Sequence, residues 1–304
     1  MKEAIERKMK PLEEMDVIDN FLFTEIMSDE ENGPEVCRMI LNCVLKREIG
    51  EIHFTPQKVV PGISERMHGI RMDAYLTERR HGKSGEAEEI NVFDIEPDKR
   101  SSRREELPRR SRYYGDLIDV KLLGTGTDYE KLPELVTIFI LSYDPFGENA
   151  MYYEAGTVIK THPHIPYDDG VRRIYLYVDG ELPGEADDDE RKMRNLLRYI
   201  GNSSASNVTD ETTKKLDEIV KNTKLKKDIG VRYMKSWEIA RDYIEEGREE
   251  GRKEGREEGR KEGREEGRKE GREEERKNTE AAIKRAEAAE ARVKELEAML
   301  SAKS

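Results

Sequence analysis

The chain has 304 residues, of which 35% are hydrophobic and 40% are charged, and its net charge is −12. This composition excludes a chain packed throughout as one globule, since aromatic residues are absent from residues 245–304. The acidic total argues against nucleic acid as a partner, but the region after residue 98 is locally basic. Residues 1–14 lack the apolar stretch of a signal peptide, and no apolar run reaches the roughly 18 residues of a membrane span. We therefore expect a cytoplasmic protein without a membrane partner.

The distribution of apolar residues divides the chain into five predicted segments. A globular domain carries most of the aromatic residues, and a charged tail follows it. In chain order we predict a flexible lead-in (1–15), a globular domain (16–205), a helical extension (206–245), a repeat spacer (246–277) and a short heptad helix (278–304).

The first half of the globular domain predicts helical segments followed by three strands. Residues 21–27 are apolar enough to pack, and Gly33-Pro34 opens a helix whose apolar residues recur at three- and four-residue steps. A turn at 81–85 makes the second and third strands an antiparallel hairpin. The strands are predicted over residues 52–60, 69–78 and 89–96.

The second half predicts a helix and a buried strand. The helix covers about residues 103–123, with Tyr113, Tyr114, Leu117 and Val120 facing inward. The nearly all-apolar, β-branched run 135–141 is typical of a strand buried on both faces. The order helix, three strands, helix, strand predicts an α/β core with helices on both faces of the sheet. A hairpin-like region at 150–160, a strand at 174–178 and helices at 188–200 and 210–228 complete the prediction.

Seven glycine-initiated tetrapeptides, Gly-Arg-Glu-Glu alternating with Gly-Arg-Lys-Glu, occupy Gly247–Glu274. Opposite charges at i and i+4 favour a helix by roughly 0.2–0.5 kcal/mol each, but each glycine opposes it by about 0.8–1 kcal/mol relative to alanine. We predict a solvated, partly helical spacer, with a nucleic-acid- or partner-binding tail as the alternative. Beyond it, apolar residues spaced by three and four predict a short coiled-coil seam that joins copies of the chain through residues 279–301.

Acidic side chains at two neighbouring strands predict a metal site. Asp73 lies within an apolar strand, where a carboxylate is costly unless it is paired or bound to a cation. Asp94 and Glu96 point to the same face of the next strand because side chains alternate. Carboxylate oxygens suit Mg²⁺, which polarises a phosphate and activates water, and either Asp98 or Lys99 would complete the site. The alternative is a set of ordinary solvated charges at strand ends.

Seven basic residues lie within residues 99–112. A basic helix beside an acidic metal site holds a phosphate backbone without reading its sequence. The alternative is a solvated helix face with local ion pairs. Besides Lys99, the predicted DNA-binding residues are Arg100, Arg103, Arg104, Arg109, Arg110 and Arg112.

From Asp19 to about Tyr199 the chain resembles the PD-(D/E)XK nuclease superfamily, specifically its recombination-promoting nuclease and transposase group. The Gly-Arg-Glu-Glu tail also resembles members of this group. Each motif is weak alone, and the resemblance depends on their order and spacing. The motifs are Asp19–Phe23, Gly69–Tyr75, Phe93–Asp98, Leu107–Tyr114, Leu132-Pro133 and Tyr143–Phe146.

The resemblance implies a restriction-endonuclease-like αβββαβ core with a mixed sheet. It also implies a hydrolase: a Mg²⁺- or Mn²⁺-dependent DNA endonuclease linked to recombination or mobile elements. Asp73 and Glu96 match the two acids of the motif, and Glu25 is a further candidate ligand. The position two residues after Glu96, normally Lys or Gln, is Asp98, and Lys99 comes one residue late. This departure leaves two alternatives open: a weak or inactive nuclease fold that binds DNA or protein, and an assembly protein driven by the tail.

Overall fold

The computed structural model describes residues 10–60, 70–81, 87–123, 126 and 128–301. The chain divides into two compact units, Met1–Met234 and Lys235–Ser304. The predicted turn at 82–85 and residues 1–9 of the lead-in lie outside the described residues. Within the described residues, no helix is both long and apolar enough to cross a membrane.

Six helices and eight strands make up the described secondary structure, together with short 3₁₀ turns. The helices are α1 (Asn20–Met27), α2 (Asn32–Leu45), α3 (Leu107–Leu122), α4 (Asp188–Gly201), α5 (Glu211–Leu225) and α6 (Lys227–Ser301). The strands are β1 (Glu51–Pro56), β2 (Val59–Val60), β3 (Ile70–Arg71), β4 (Ala74–His81), β5 (Ala87–Asp98), β6 (Glu134–Leu141), β7 (Tyr152–Ala155) and β8 (Val171–Tyr177).

The main sheet has six strands in the order β1-β4-β5-β6-β8-β7. β4 is antiparallel to both of its neighbours, β1 and β5. β5, β6 and β8 run parallel, and β7 is antiparallel to β8. The predicted antiparallel pairing of the second and third strands is confirmed, and so is an α/β fold with a mixed sheet. The predicted strand over residues 52–60 divides instead, because β2 leaves the main sheet and pairs with β3.

Apolar side chains on one face of the main sheet pack against α1, α2, α4 and α5. The opposite face of β5, β6 and β8 is covered by α3, which begins after a 3₁₀ turn at Ser101–Glu106. Leu117 and Ile118 of α3 are buried there, and Tyr113 and Tyr114 are half-buried. The expectation for Val120 was wrong: its side chain is 54% exposed, because the helix turns it away from the face that Leu117 and Ile118 present to the sheet.

β5 continues through Pro97 to Asp98, two residues beyond the strand predicted over residues 89–96. Its pairing with β4 ends at Ile95, whereas the carbonyl of Asp98 still accepts a hydrogen bond from the Ser142 N–H at 3.2 Å. Pro97 therefore lies beyond the last β4 pair, where the missing N–H costs no ladder bond on that side. As a result, β5 carries Asp98 into the same face as Asp94 and Glu96.

The chain on both sides of the predicted domain also contributes to the core of the first unit. Leu12 and Met15, from the predicted lead-in, are buried. Apolar residues of α5 and the start of α6 are buried with them, so the compact unit reaches Met234. These residues are Leu216, Ile219, Val220, Ile229 and Tyr233.

α6 runs without interruption through the glycine repeat, where a partly helical spacer was predicted. A Cβ added at any of the seven repeat glycines would meet no atom within 4 Å, so no close packing requires glycine there. Glu273 and Lys277 form one of the expected i,i+4 ion pairs at 3.2 Å. The second unit therefore gains its helicity from local bonds and charge pairing rather than from a packed face.

Candidate active site

β5 presents Asp94, Glu96 and Asp98 on a single face, because side chains alternate along a strand. This face is the one that α3 covers. The three residues are 0%, 8% and 4% exposed. Three carboxyl groups have therefore been removed from water at the junction of sheet and helix, where each needs a donor, a cation or a proton.

Asp73 joins this group from the bend between β3 and β4. Ala74 is opposite Ile95 in the β4–β5 ladder, which places Asp73 beside Glu96. The backbone N–H of Asp73 donates to Oε1 of Glu96 at 2.9 Å, and Asp73 is itself 8% exposed. The structure thus brings together the two acids that the sequence singled out.

No backbone N–H, hydroxyl or cationic group donates a hydrogen bond to either carboxylate oxygen of Asp94 within the described residues, and only the neighbouring Glu96 carboxyl can share a proton with it. It lies opposite Tyr75 of β4 and Thr137 of β6. Burial, reinforced by the charge of Asp73, raises the pKa of Asp94 to about 8. The fully buried Asp94 is the most poorly compensated acid of the cluster.

The same causes act on its neighbours. Burial raises the pKa of Glu96 well above the ordinary value, and the charges of Asp94 and Asp73 add to this effect. Burial also raises the pKa of Asp73, against the opposing charges of Arg71 and Arg100. We call Asp73, Asp94 and Glu96 the carboxylate cluster, in which the charge of Asp73 disfavours ionisation of the other two acids and the charge of Asp94 disfavours ionisation of Glu96.

A hard divalent cation fits the chemistry of the carboxylate cluster. In the part of the chain that the structure describes, no three His, Cys, Asp or Glu side chains converge as a ready-made metal cage. Mg²⁺ does not require such a cage, because it usually binds one or two carboxylates and keeps waters and substrate phosphate oxygens as its other ligands. The Asp94 oxygens, with Asp73 and Glu96 nearby, meet that smaller requirement.

Asp98 is in a different situation, because several donors already bind it. Its Oδ1 accepts hydrogen bonds from the backbone N–H of Arg100 at 2.8 Å and from Nε of the same residue at 3.0 Å. Its Oδ2 accepts from Nη2 of Arg110 at 2.5 Å and from the Tyr143 hydroxyl at 3.3 Å. Burial acts to raise the pKa of Asp98, but the bonds from Arg100 and Arg110 outweigh it and lower the pKa. Asp98 therefore remains an anion that anchors two arginines.

Two other predicted site residues point to different partners. Nζ of Lys99 donates to Oδ1 of Asp19 at 2.5 Å, as expected for the residue after Asp98 on an alternating strand. Glu25 accepts hydrogen bonds from Arg232 at 2.7–3.2 Å. Neither Lys99 nor Glu25 shows a contact with the carboxylate cluster among the described residues.

The predicted DNA-binding arginines fall into two groups. Arg103, Arg104, Arg109 and Arg112 are exposed on the 3₁₀ turn and α3. The 3₁₀ turn and Tyr143-Asp144 line an open groove of about 420 Å³. The side chains of Arg100 and Arg110 bind Asp98, and they are 56% and 17% exposed. The four exposed arginines can therefore contact a phosphate backbone directly, whereas the side chain of Arg110 is directed toward Asp98.

Comparisons of the chain with protein-family models, with curated proteins and with solved structures found no match. From the sequence, Asp94 was placed on the same face as Glu96 without a ligand role of its own, and Arg110 was predicted only as a DNA-binding residue. The available signals were the two-residue spacing of Asp94 from Glu96 and the one-turn spacing of Arg110 from the inward-facing Tyr114.

Proposed function

We propose that this protein is a metal-dependent DNA endonuclease, a hydrolase of phosphodiester bonds of the recombination-promoting or transposase type. The observation that carries the proposal is the buried Asp94, to which no N–H, hydroxyl or cation among the described residues donates a hydrogen bond, next to Asp73 and Glu96. A protein retains such uncompensated charge at a cost in stability, and functional sites are where that cost is commonly met. The order α2, β1, β4, β5, α3, β6 is compatible with an αβββαβ nuclease core.

One or two carboxylates of the Asp73, Asp94 and Glu96 cluster would hold Mg²⁺, or Mn²⁺ in its place, with waters and substrate phosphate oxygens as the other ligands. A bound cation of this kind polarises a scissile phosphate and lowers the pKa of water. In the reaction a water oxygen bonds to phosphorus, and the bond from phosphorus to one sugar oxygen breaks. The water's proton passes to solvent, and the released sugar oxygen takes up a proton. The chain's own residues bind the phosphate and exclude bulk water from the acids.

The exposed arginines supply the DNA-binding part of the proposal. Arg103 and Arg104 border the groove, and Arg109 and Arg112 lie on the first turns of α3. Such residues contact phosphates and fix orientation without reading bases. We propose DNA as the partner, self-association through residues 279–301, and a cytoplasmic location.

Nicking of supercoiled plasmid DNA in Mg²⁺ or Mn²⁺ tests the proposal. We expect cleavage by the wild type and a loss of at least about 100-fold in Asp73→Asn and Glu96→Gln, which keep side-chain size but remove the charge. Glu78→Gln is the matched control, since Glu78 is a buried acid of β4 bound by Arg47 outside the cluster. No cleavage by the wild type, or equal cleavage by the Asp73 and Glu96 variants, would reject the proposal.

A second candidate function is DNA or protein binding without cleavage. It is favoured by Asp98, which occupies the position of a Lys or Gln in the family pattern and is already neutralised by Arg100 and Arg110. Salt-dependent DNA binding without nicking, at any concentration of Mg²⁺ or Mn²⁺, would support this function over hydrolysis. The third possibility, assembly through the tail, depends on the second unit alone.

A further inference from the structure

Arg110 lies on the inner face of α3. Leu107 and Ser111, its neighbours on that face, are fully buried, and Tyr114 follows one turn later. Arg109 and Arg112, next to it in sequence, are exposed. The helix therefore directs Arg110 into the junction of sheet and helix, where a long cation has to find an anion.

The guanidinium of Arg110 is only partly satisfied. Nη2 binds Oδ2 of Asp98, and Cζ lies 5.2 Å from the ring centroid of Phe139. Nε is buried and has no hydrogen-bond partner within the described residues. A buried donor without an acceptor is costly, and more so when it is charged. The guanidinium is therefore held at one edge, while its buried Nε–H has no acceptor among the described residues.

This donor lies over β6, the strand next to the one that carries Asp94 and Glu96. Phe139, beneath the guanidinium, is directly opposite Glu96 in the parallel β5–β6 ladder. The positive charge of Arg110 opposes the rise in pKa of both Asp94 and Glu96, which places it within electrostatic reach of both acids. One guanidinium thus binds Asp98 directly and acts through its charge on Asp94 and Glu96.

We propose that Arg110, held in place by Asp98, is the phosphate-binding cation of this site, donating from Nε to an oxygen of the scissile phosphate. This inference rests on the proposed function and deepens it. Arginine does not lose its proton in proteins, so Arg110 acts by charge and hydrogen bonding and not as a base. Asp98 is a positioning residue: it fixes the guanidinium and does not touch the substrate.

Charge relocation tests this assignment. In Arg110→Gln we expect kcat to fall about 100- to 1000-fold, the usual loss on removal of a donor to a developing oxyanion. The neutral pair Asp98→Asn/Arg110→Gln leaves no unpaired charge and should be folded but equally impaired. The pair Asp98→Lys/Arg110→Gln returns a cation to the face of β5 and should recover at least tenfold. The matched control is Arg172→Gln, which breaks the pair with Glu154 on the opposite face of β8 and should cleave as the wild type does.

Inorganic phosphate binding separates this proposal from the nuclease proposal, because it requires no cleavage. With Mg²⁺ present, ³¹P NMR titration should show phosphate affinity about 10- to 100-fold weaker in Arg110→Gln and in the neutral pair. The charge-relocated pair should recover affinity, and Arg172→Gln should match the wild type. A wild type that fails to nick DNA but binds phosphate through Arg110 would reject the nuclease and keep the assignment. Wild-type cleavage or phosphate affinity in the neutral pair would overturn it, as would a wild type that binds no phosphate.

Discussion

At the scale of single residues, similar burial leads to opposite ionisation because the partners differ. Glu78 and Asp94 lie on adjacent strands, and both are almost fully buried. Glu78 accepts bonds from both Nη atoms of Arg47, from the Gly50 N–H and from the Asn91 amide. Asp94 accepts none from an N–H, hydroxyl or cation among the described residues. A saturated acid of this kind stabilises the fold, whereas an unsatisfied one is available to a ligand.

Glu78 should therefore make the protein acid-sensitive. Burial acts to raise the pKa of Glu78, but Arg47, Gly50 and Asn91 outweigh it and lower the pKa from 4.5 to about 2. A lowered pKa contributes stability above the unfolded value, and that contribution is lost as the pH falls from about 4.5 to about 2. At pH 7 we expect Glu78→Gln to cost about 1.5–3 kcal/mol, since hydrogen bonds to a charged acceptor are lost.

Urea denaturation of Glu78→Gln and wild type between pH 7 and pH 2 measures this effect. The difference in unfolding free energy should shrink as the pH falls and vanish near pH 2. Glu154→Gln is the control, because Glu154 forms a half-exposed pair with Arg172 and should cost less than about 1 kcal/mol. A difference that persists unchanged at low pH would contradict the assigned role of the Glu78 charge.

The sequence predicted part of the candidate site at this scale. Asp73 and Glu96 could be predicted from the sequence, because an acid among apolar strand residues is a local signal. The roles of Asp94 and Arg110 could not be predicted, because they depend on which hydrogen-bond partners each side chain lacks in the folded protein. The saturation of Asp98 by Arg110 joins β5 to α3 and cannot be read from either segment alone.

At the scale of elements, the position of α3 over the sheet decides where Arg110 reaches. Two contacts fix this position near the site. The Ser111 hydroxyl and the Tyr175 hydroxyl lie 2.8 Å apart in a buried hydrogen bond, and the Tyr175 ring stacks on Phe139 at 5.8 Å between centroids. α3 is thus tied to β8 across β6, and the ring beneath Arg110 is held by the same tyrosine.

Tyr175→Phe should weaken this attachment without removing the ring. We expect a loss of about 0.5–1.5 kcal/mol in unfolding free energy, since one buried hydrogen bond is removed and Ser111 keeps its bond to the Pro108 carbonyl at 3.1 Å. Chemical denaturation measures the loss, with Tyr167→Phe as the control because Tyr167 is 53% exposed. Equal stability of Tyr175→Phe and wild type would show that the hydroxyl pair does not hold α3.

Helices and strands with strong local sequence patterns were predictable, whereas the strands and faces that they pack against were less so. The apolar run 135–141 gave β6 because a strand buried on both faces needs no polar alternation. The apolar residues at 59–60 did not indicate that they pair outside the main sheet, because the pairing partner of a strand is set by tertiary contacts. The predicted burial of Val120 was wrong for a similar reason. Its apolar side chain is a local feature, but the face that α3 buries is set by how the helix packs on the sheet.

At the scale of the whole molecule, net charge and buried side chains are unevenly distributed along the sequence. The repeat from Gly247 to Lys277 contains twelve basic and twelve acidic residues, so the net charge of −12 arises elsewhere. Its glycines have open space around the position of a Cβ, and its helix makes no buried core. An exposed helix of this kind contributes no packing to its own unit, and its apolar residues near the end, such as Ile283 and Val293, are about half exposed.

Self-association is the expected use of those apolar residues. Ala282, Ala286, Ala289 and Val293 recur at steps of four and three, the spacing of a coiled-coil seam. We predict that the full chain is a dimer or trimer and that a chain ending at residue 245 is a monomer. The shortened chain keeps Ile229 and Tyr233, which are buried in the first unit, so its thermal unfolding midpoint should not change. Sedimentation equilibrium of the two chains measures their masses, and an unchanged oligomeric mass after shortening would exclude the seam as the interface. Plasmid nicking by the shortened chain would then assign cleavage to the first unit and assembly to the second, whereas loss of both would show that the acids act only in an assembled protein.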